Sequence, residues 1–150
     1  MQITKQFSVF IPNKPGELAR LIEAVAEAKV NLVALTVVDS QEHGVVRIVA
    51  EQPDQMRGAL KPLNIDVTET EVLLADLSNK PGALAQVVGL LAAAKININY
   101  AYVTSGAPGG RTTGVLKVND MKAAMKVLEK HRKAGEASER GTVRKMGGRR

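Results

Sequence analysis

The sequence predicts an α+β fold of two βαββαβ units, each with an antiparallel sheet and its helices on one face. The first observation behind this prediction is an internal repeat, because "NKPG" occurs at residues 13–16 and again at 79–82. The second is that a strand-like apolar run precedes each motif and a helix-like apolar pattern follows it. Duplication of one small unit explains both observations.

The elements of the first unit succeed one another along residues 1–69. "QFSVFI" (6–11) predicts a strand, and the residues after the motif place Leu18, Leu21 and Val25 on one helix face. "LVALTVV" (32–38) and "GVVRIVAE" (44–51) predict the second and third strands, separated by a turn-rich segment. A second helix begins near Asp54, where an acidic residue suits the helix dipole, and "NIDVTE" (64–69) predicts the fourth strand.

The second unit, residues 70–131, repeats this order with one gap. Its strands are "EVLLADL" (71–77), "INYAYV" (98–103) and "GVLKVN" (114–119), and its second helix covers 121–131. After His131 the chain has almost no apolar alternation. We therefore expect the last strand of this unit to be vestigial and the first unit to be the more complete one.

The net charge of +6 is confined to the C-terminal end of the chain. Residues 1–129 hold 13 Lys/Arg and 13 Asp/Glu, whereas residues 130–150 hold eight Lys/Arg and two Glu. A neutral body with a short basic end that lacks aromatic residues predicts a disordered, solubilising tail over residues 132–150. This pattern argues against nucleic acid as a partner, although contact through the tail stays an alternative.

No set of residues has the pattern of a catalytic or metal site. The chain has no cysteine, and its two histidines, His43 and His131, are not at metal-binding spacing. Ser and Thr residues have no nearby His to act as a base. We expect a protein without enzymatic activity, metal or cofactor. Because no apolar run reaches the length of a membrane span, a soluble cytoplasmic protein is expected.

Both repeats resemble ACT domains, which are ferredoxin-like regulatory units. The resemblance covers about residues 3–131 and rests on Asn-Lys-Pro-Gly-x-Leu-Ala between the first strand and the first helix of each repeat. A second Asn follows the first by 18 residues in both copies, at Asn31 and Asn97. ACT domains usually bind amino acids and usually pair, so that the ligand lies between two units. In serine-binding members, the Asn before Pro-Gly and the later Asn hold the ligand.

Carried over by position, the resemblance implies two ligand sites. The implied residues are Asn13, Lys14, Pro15, Gly16, Asn31 and Leu32 in the first copy, and Asn79, Lys80, Pro81, Gly82, Asn97 and Ile98 in the second. The residues alone allow a simpler role, because Asn suits a helix cap and Pro suits the first helical turn. A helix N-terminus with a glycine and an Asn amide also suits the carboxylate and ammonium groups of an amino acid.

The resemblance implies a stand-alone, non-catalytic regulatory protein that binds a small amino acid. It implies a homodimer that signals to a metabolic enzyme or regulator through a shift of population. The alternative is a dimerisation or docking module without a ligand, serving a biosynthetic enzyme or a transcription regulator. Tyr100 and Tyr102 alternate along one predicted strand, and we expect them to be core or dimer contacts.

Overall fold

The structure, a computed structural model, describes residues 1–39, 43–104 and 110–146, with side chains described as far as Gly135. Its strands are β1 (Gln2–Pro12), β2 (Leu32–Asp39), β3 (His43–Ala50), β4 (Asp66–Ser78), β5 (Ile98–Thr104) and β6 (Arg111–Val118). Its helices are α1 (Glu17–Glu27), α2 (Pro53–Leu60), α3 (Ala83–Ala93) and α4 (Met121–Met146), with a short 3-10 turn at Lys61–Leu63. The predicted α+β class is confirmed.

All six strands form one antiparallel sheet in the order β2-β3-β1-β4-β6-β5. Since β1 and β4 are the central neighbours, the two units join side by side through a continuous sheet. Phe7 of β1 packs with α1 and α2 in one core, and Leu73 of β4 packs with α3 and α4 in another. The β1–β4 register places Phe7 and Leu73 on the same face, so all four helices cover one side of the sheet, as predicted.

β4 is longer than the sequence pattern predicts, because it joins two strands that the pattern separates. The predicted strands at 64–69 and 71–77 form one continuous strand, and the predicted boundary between residues 69 and 70 lies inside it. Its first half, 66–70, pairs with 6–10 of β1. Its second half, from residue 71 to residue 74, pairs with 2–5 of β1. Each of the two central strands therefore takes part in both units.

The N-terminal half of β1 fills the position of the strand that the second unit lacks. In the first unit, the last strand is the half of β4 that lies beside β1. At the equivalent position beside β4, the second unit has residues 2–5. The described residues after His131 form no strand, as expected. The expectation of an incomplete second unit is wrong, because its last strand comes from the other end of the chain. Alternation within a segment does not specify a partner so distant in sequence.

The face of the sheet without helices also carries a core, because β2 and β5, the outer strands, approach each other across it. The residues of this third core are Ala34, Val49, Val72, Leu74 and Val115, with Val33 and Tyr102 packed against them. The expectation that the tyrosines are core contacts is confirmed for Tyr102. The curled sheet thus brings side chains of the two units together on its inner side.

Gln6 connects the two units within this inner face. It is fully buried, and its Nε2 donates a hydrogen bond of 2.8 Å to the hydroxyl of Tyr100. The Tyr102 hydroxyl donates a bond of 2.9 Å to Gln6 Oε1. The guanidinium of Arg47, from the first unit, lies 4.0 Å from the ring centroid of Tyr100. These contacts join β1 and β3 of the first unit to β5 of the second.

Tyr102 leads to a prediction for alkaline pH. Burial raises the pKa of Tyr102, and the neighbouring Tyr100 raises it further. This pKa lies above the value of about 10 in the unfolded chain, so folding favours the neutral hydroxyl. The neutral hydroxyl therefore makes its full contribution to the free energy of unfolding below about pH 10, and that contribution is lost as the pH rises further. Urea unfolding between about pH 8 and 11 should show a falling free energy of unfolding, with a shallower fall in Tyr102→Phe. Equal slopes for the two proteins would refute this assignment.

α4 continues beyond the end that the sequence pattern predicts at residue 131. Its helical backbone reaches Met146, through residues that the sequence analysis assigns to the basic tail. Residues 147–150 of that tail lie outside the described part of the chain. Ala124 and Leu128, on the N-terminal half of α4, are buried in the core of the second unit.

Candidate functional site

Both NKPG motifs fold into the same turn. In the first, the Lys14 N–H donates to the Pro12 carbonyl at 2.9 Å, and the Glu17 N–H donates to the Lys14 carbonyl at 3.3 Å. In the second, the bonds from the N–H groups of Lys80 and Ala83 have lengths of 2.8 and 3.3 Å. Gly16 has φ 91° and Gly82 has φ 89°, in the left-handed region that glycine adopts without strain. The sequence repeat is therefore also a repeat of backbone geometry.

The predicted capping roles of the Asn and Pro residues are wrong. The N-cap positions are Gly16 and Gly82, and neither helix has a side-chain cap bond. Pro15 precedes the cap instead of lying in the first turn of α1. Asn13 Nδ2 instead donates to Asp39 Oδ1 at 2.8 Å, which fastens the turn to the end of β2. The chain needs a positive φ to enter the helix, so glycine occupies the position that a capping side chain would take.

An uncapped helix N-terminus offers N–H groups to an external acceptor. The first intrahelical bonds run from Arg20 N–H to the Gly16 carbonyl and from Gln86 N–H to the Gly82 carbonyl, each at 2.9 Å. The N–H groups of Leu18 and Ala19, inside the first turn of α1, precede the first of these bonds. Gly16 is exposed, and no atom lies within 4 Å of the place where a side chain would begin. This turn can therefore present backbone donors and partial positive charge to an anion.

The two turns differ in charge. Glu17 is an acidic residue in the first turn of α1, whereas α3 begins at Ala83 and has no acidic residue in its first turn. Asp39 adds a second carboxylate beside the first turn, through its bond to Asn13. Neither acid is among the site residues predicted from the sequence. Glu17 directly follows the motif and so had a local signal, whereas Asp39 is brought to the site only by strand pairing.

The later Asn of each copy lies at the start of the second strand. The Asn31 carbonyl accepts a bond of 3.0 Å from the Glu51 N–H, and the Asn97 carbonyl accepts one of 3.1 Å from the Asn119 N–H. The side chains of the residues that follow, Leu32 and Ile98, pack against the cores of their own units. The side chains of Leu32 and Ile98 are therefore engaged in the cores, and what these segments can offer to a ligand is the backbone and the Asn side chains.

Within one chain, the two Asn residues of a predicted site are not brought together. Pro12, next to Asn13, opposes His43 at the start of β3, whereas Leu32, next to Asn31, opposes Ala50 at its end. β3 is eight residues long, which corresponds to about 23 Å between its ends.

The second unit has the same arrangement, because Ser78 opposes Arg111 and Ile98 opposes Val118 at the two ends of β6. Within one chain, a small ligand therefore cannot contact both the turn and the later Asn of the same unit.

The described part of the chain shows no other site of obvious chemistry. In that part, no three His, Asp or Glu side chains are grouped to hold a metal ion. No helix in it is both long and apolar enough to span a bilayer. The described surface does have a hollow of about 310 Å³ beside α2, lined by residues that include Phe7, Arg57 and Glu69.

The chain is similar to known proteins in both sequence and fold. The family model described as an ACT domain pair matches residues 1–135. Protein BT0572 from Bacteroides thetaiotaomicron has a similar structure, with 32% sequence identity, coverage of 87% of this chain and 89% of that one, and a TM-score of 0.80. No curated protein matches the sequence.

Two regulatory subunits of aspartate kinase share the fold. The subunit from Thermus thermophilus is 15% identical, with coverage of 87% of this chain and 97% of that one and a TM-score of 0.65. The subunit from Thermus flavus is 16% identical, with coverage of 86% and 94% and a TM-score of 0.59. At these identities, the likeness concerns the fold alone.

Proposed function

Since the chain belongs to the ACT domain pair family, we propose that it is a non-catalytic regulatory protein that binds a small amino acid and signals to a metabolic partner. One observation carries the proposal. The NKPG turn occurs twice with the same hydrogen bonds and the same positive φ, and each copy leads into a helix without a side-chain cap. The cytoplasm, where free amino acids accumulate, is the proposed location.

The chemistry of the turn matches the polar end of an α-amino acid. The backbone N–H groups after Gly16 or Gly82 receive the carboxylate, assisted by the helix dipole. Because Asn13 uses its Nδ2 for the bond to Asp39, its Oδ1 remains to accept a hydrogen bond from the ligand ammonium. Lys14 and Lys80, both exposed, add positive charge on the carboxylate side.

A homodimer completes each site in this proposal. Asn31 and Asn97, with the backbone of Leu32 and Ile98, approach the turn from the second copy. Exposed apolar residues support such pairing, and they occur at matching positions of the two units. Leu18 and Leu84 are 37% and 41% exposed on the helices, and Val37 and Val103 are 47% and 43% exposed on the outer strands. Sedimentation equilibrium of the full chain tests the dimer. A monomer at every concentration would overturn the proposal that two copies form each site.

Isothermal titration calorimetry against the twenty amino acids tests the function. We expect one or a few small amino acids to bind, and Asn31→Ala to weaken that binding by about tenfold or more, since a hydrogen bond to a charged group contributes about 1.5–3 kcal/mol. Gln55→Ala is the matched control, because it removes an exposed amide from α2. Absence of heat and of any rise in melting temperature with all twenty would overturn amino-acid binding.

The second turn is expected to bind a carboxylate more tightly than the first. Glu17 places its own carboxylate at the N-terminus of α1, where it opposes a ligand of the same charge. The second unit is also complete, which removes the reason to favour the first copy. Glu17→Gln should strengthen the weaker site by about two- to fivefold, from a helix-dipole contribution of about 0.3–1 kcal/mol. Two-site calorimetry measures the effect, and Glu23→Gln, on the exposed side of α1, is the control. An affinity of this site that falls or stays unchanged in Glu17→Gln would contradict the prediction.

The alternative is a docking module without a ligand. The same exposed Leu and Val residues favour it, because they would serve a partner protein as well as a second copy. The melting temperature in the presence of each amino acid separates the two functions. A rise with any of them favours the amino-acid-binding protein, since a docking module without a ligand gains no stability from an amino acid.

A further inference from the structure

The internal symmetry of the fold allows two equivalent grooves to be compared. In each unit, a groove lies between the second helix and the last strand. The first is lined by residues that include Phe7, Arg57 and Glu69. The second, of about 590 Å³, has a rim of lysines, and its lining residues are Ile3, Lys122, Met125, Lys126, Glu129, Lys130 and Lys133.

In the first groove, Arg57 is paired with acidic side chains of its own unit. Arg57 Nε donates to Glu69 Oε1 at 3.1 Å, and Arg57 also forms an ion pair of 2.6 Å with Asp54. These bonds hold the pKa of Arg57 above its usual value. Arg57 therefore already has its partners, and Lys61 is the other cation in this lining.

The second groove replaces this ion pair with apolar residues. Ile3 opposes Leu73 as Glu69 opposes Phe7, so Ile3 occupies the position of Glu69. Met125 occupies the position of Arg57 when the buried residues of α4 are matched to those of α2. Ile3 is 38% exposed, which leaves part of the apolar floor of the groove open to solvent.

Four lysines border this floor and have no acidic partner among the ion pairs of the described part of the chain. Lys122, Lys126, Lys130 and Lys133 follow one face of α4 at helical spacing. Like charges at this spacing repel each other. Lys122 also lies in the first turn of the helix, where the helix dipole disfavours a cation. Glu129 is the one acid in the groove lining. Four lysines and one glutamate leave this groove with an excess of positive charge.

We propose that this groove binds an acidic amphipathic helix of a partner protein. The lysines span about 17 Å of α4, the length of about three helical turns, and an apolar residue of the partner covers Ile3 and Met125. Nucleic acid fits less well, because the lining includes Glu129 and no aromatic residue on which a base can stack. The proposal concerns contact with a partner and does not depend on amino-acid binding.

Fluorescence anisotropy with a labelled synthetic peptide tests the proposal on the full chain. The peptide is an amphipathic helix of about four turns, with glutamates flanking a leucine stripe. We expect binding that weakens as salt increases and that falls about tenfold in the triple variant Lys122→Gln, Lys126→Gln, Lys130→Gln, as expected for three exposed ion pairs. Ile3→Thr, which keeps a strand-forming side chain, should also weaken the binding.

Two comparisons make the test decisive. The matched control, Lys29→Asn, Lys61→Gln, Lys95→Asn, removes the same charge from elsewhere and should leave the affinity within about twofold, as for long-range screened charges. A scrambled peptide of the same composition should bind at least about tenfold more weakly, because it loses the apolar stripe. Equal loss in the control variant, equal binding of the scrambled peptide, or tighter binding of a single-stranded oligonucleotide of equal charge would overturn the proposal.

Discussion

Removal of residues 2–5 is expected to unfold the second unit, although every strand and helix assigned to that unit from the sequence remains in the chain. These residues pair with 71–74 of β4 and close the edge of the second unit. Without them, Leu73 and Leu74, now 0% and 7% exposed, lose the strand beside them. Exposure of two leucines lowers the free energy of unfolding by about 3–6 kcal/mol, which is comparable to the whole stability of a small domain.

Hydrogen exchange resolved by residue measures this effect. We expect protection to fall first in the second half of β4 and in β6, while β3 and the first half of β4 keep theirs. The control is Gln2→Ala with Lys5→Ala, which removes the Lys5–Glu71 ion pair of 3.6 Å but keeps the backbone pairing. It should cost less than about 1 kcal/mol, as exposed ion pairs do. A deletion that costs no more than this control would show that the strand is dispensable.

The same pairing explains which parts of the fold the sequence predicts. The repeat, the apolar faces of the helices and the succession of strands and helices along the chain are local properties, and the structure has them as predicted. The joining of two predicted strands into β4 and the sharing of β1 depend on contacts between residues about 70 positions apart, as in the pair Ile3 and Leu73. Periodicity within a segment gives the face of a strand but not its neighbour.

The candidate site shows the same division. The turn at Asn13–Gly16 and its copy were predictable, because a short motif determines them. The capping role of Asn13 was not, since the positive φ of Gly16 moves the helix start and frees Asn13 to bind Asp39. The distance between Asn13 and Asn31 follows only from the register of β3. A resemblance by position therefore names candidate residues, whereas their separation within one chain follows only from strand pairing.

Gln6→Leu is expected to destabilise the protein by about 2–4 kcal/mol, because it removes the hydrogen-bond partner of both tyrosine hydroxyls at once. The part-buried hydroxyls of Tyr100 and Tyr102 would lose their bonds to Gln6, and each group left unsatisfied away from water costs up to about 1–3 kcal/mol. The side chain of Gln6 is fully buried, so leucine replaces it in volume without exposing apolar surface. Urea unfolding measures the change, and Gln55→Leu on the exposed side of α2 is the control.

The triple variant Gln6→Leu, Tyr100→Phe, Tyr102→Phe should be more stable than Gln6→Leu alone. Removing both hydroxyls leaves the buried Ser8 hydroxyl as the remaining group that loses a bond from Gln6, a long one of 3.4 Å, and replacing the partners of a buried hydrogen bond with apolar groups is close to neutral. Phe at position 100 keeps an aromatic ring beneath Arg47, so the contact across the two units survives. If the triple variant is instead less stable than Gln6→Leu, the hydroxyls act independently of Gln6. Recovery would show that the cost of Gln6→Leu comes from the unpaired hydroxyls, and that packing on the inner face joins the units without these hydrogen bonds.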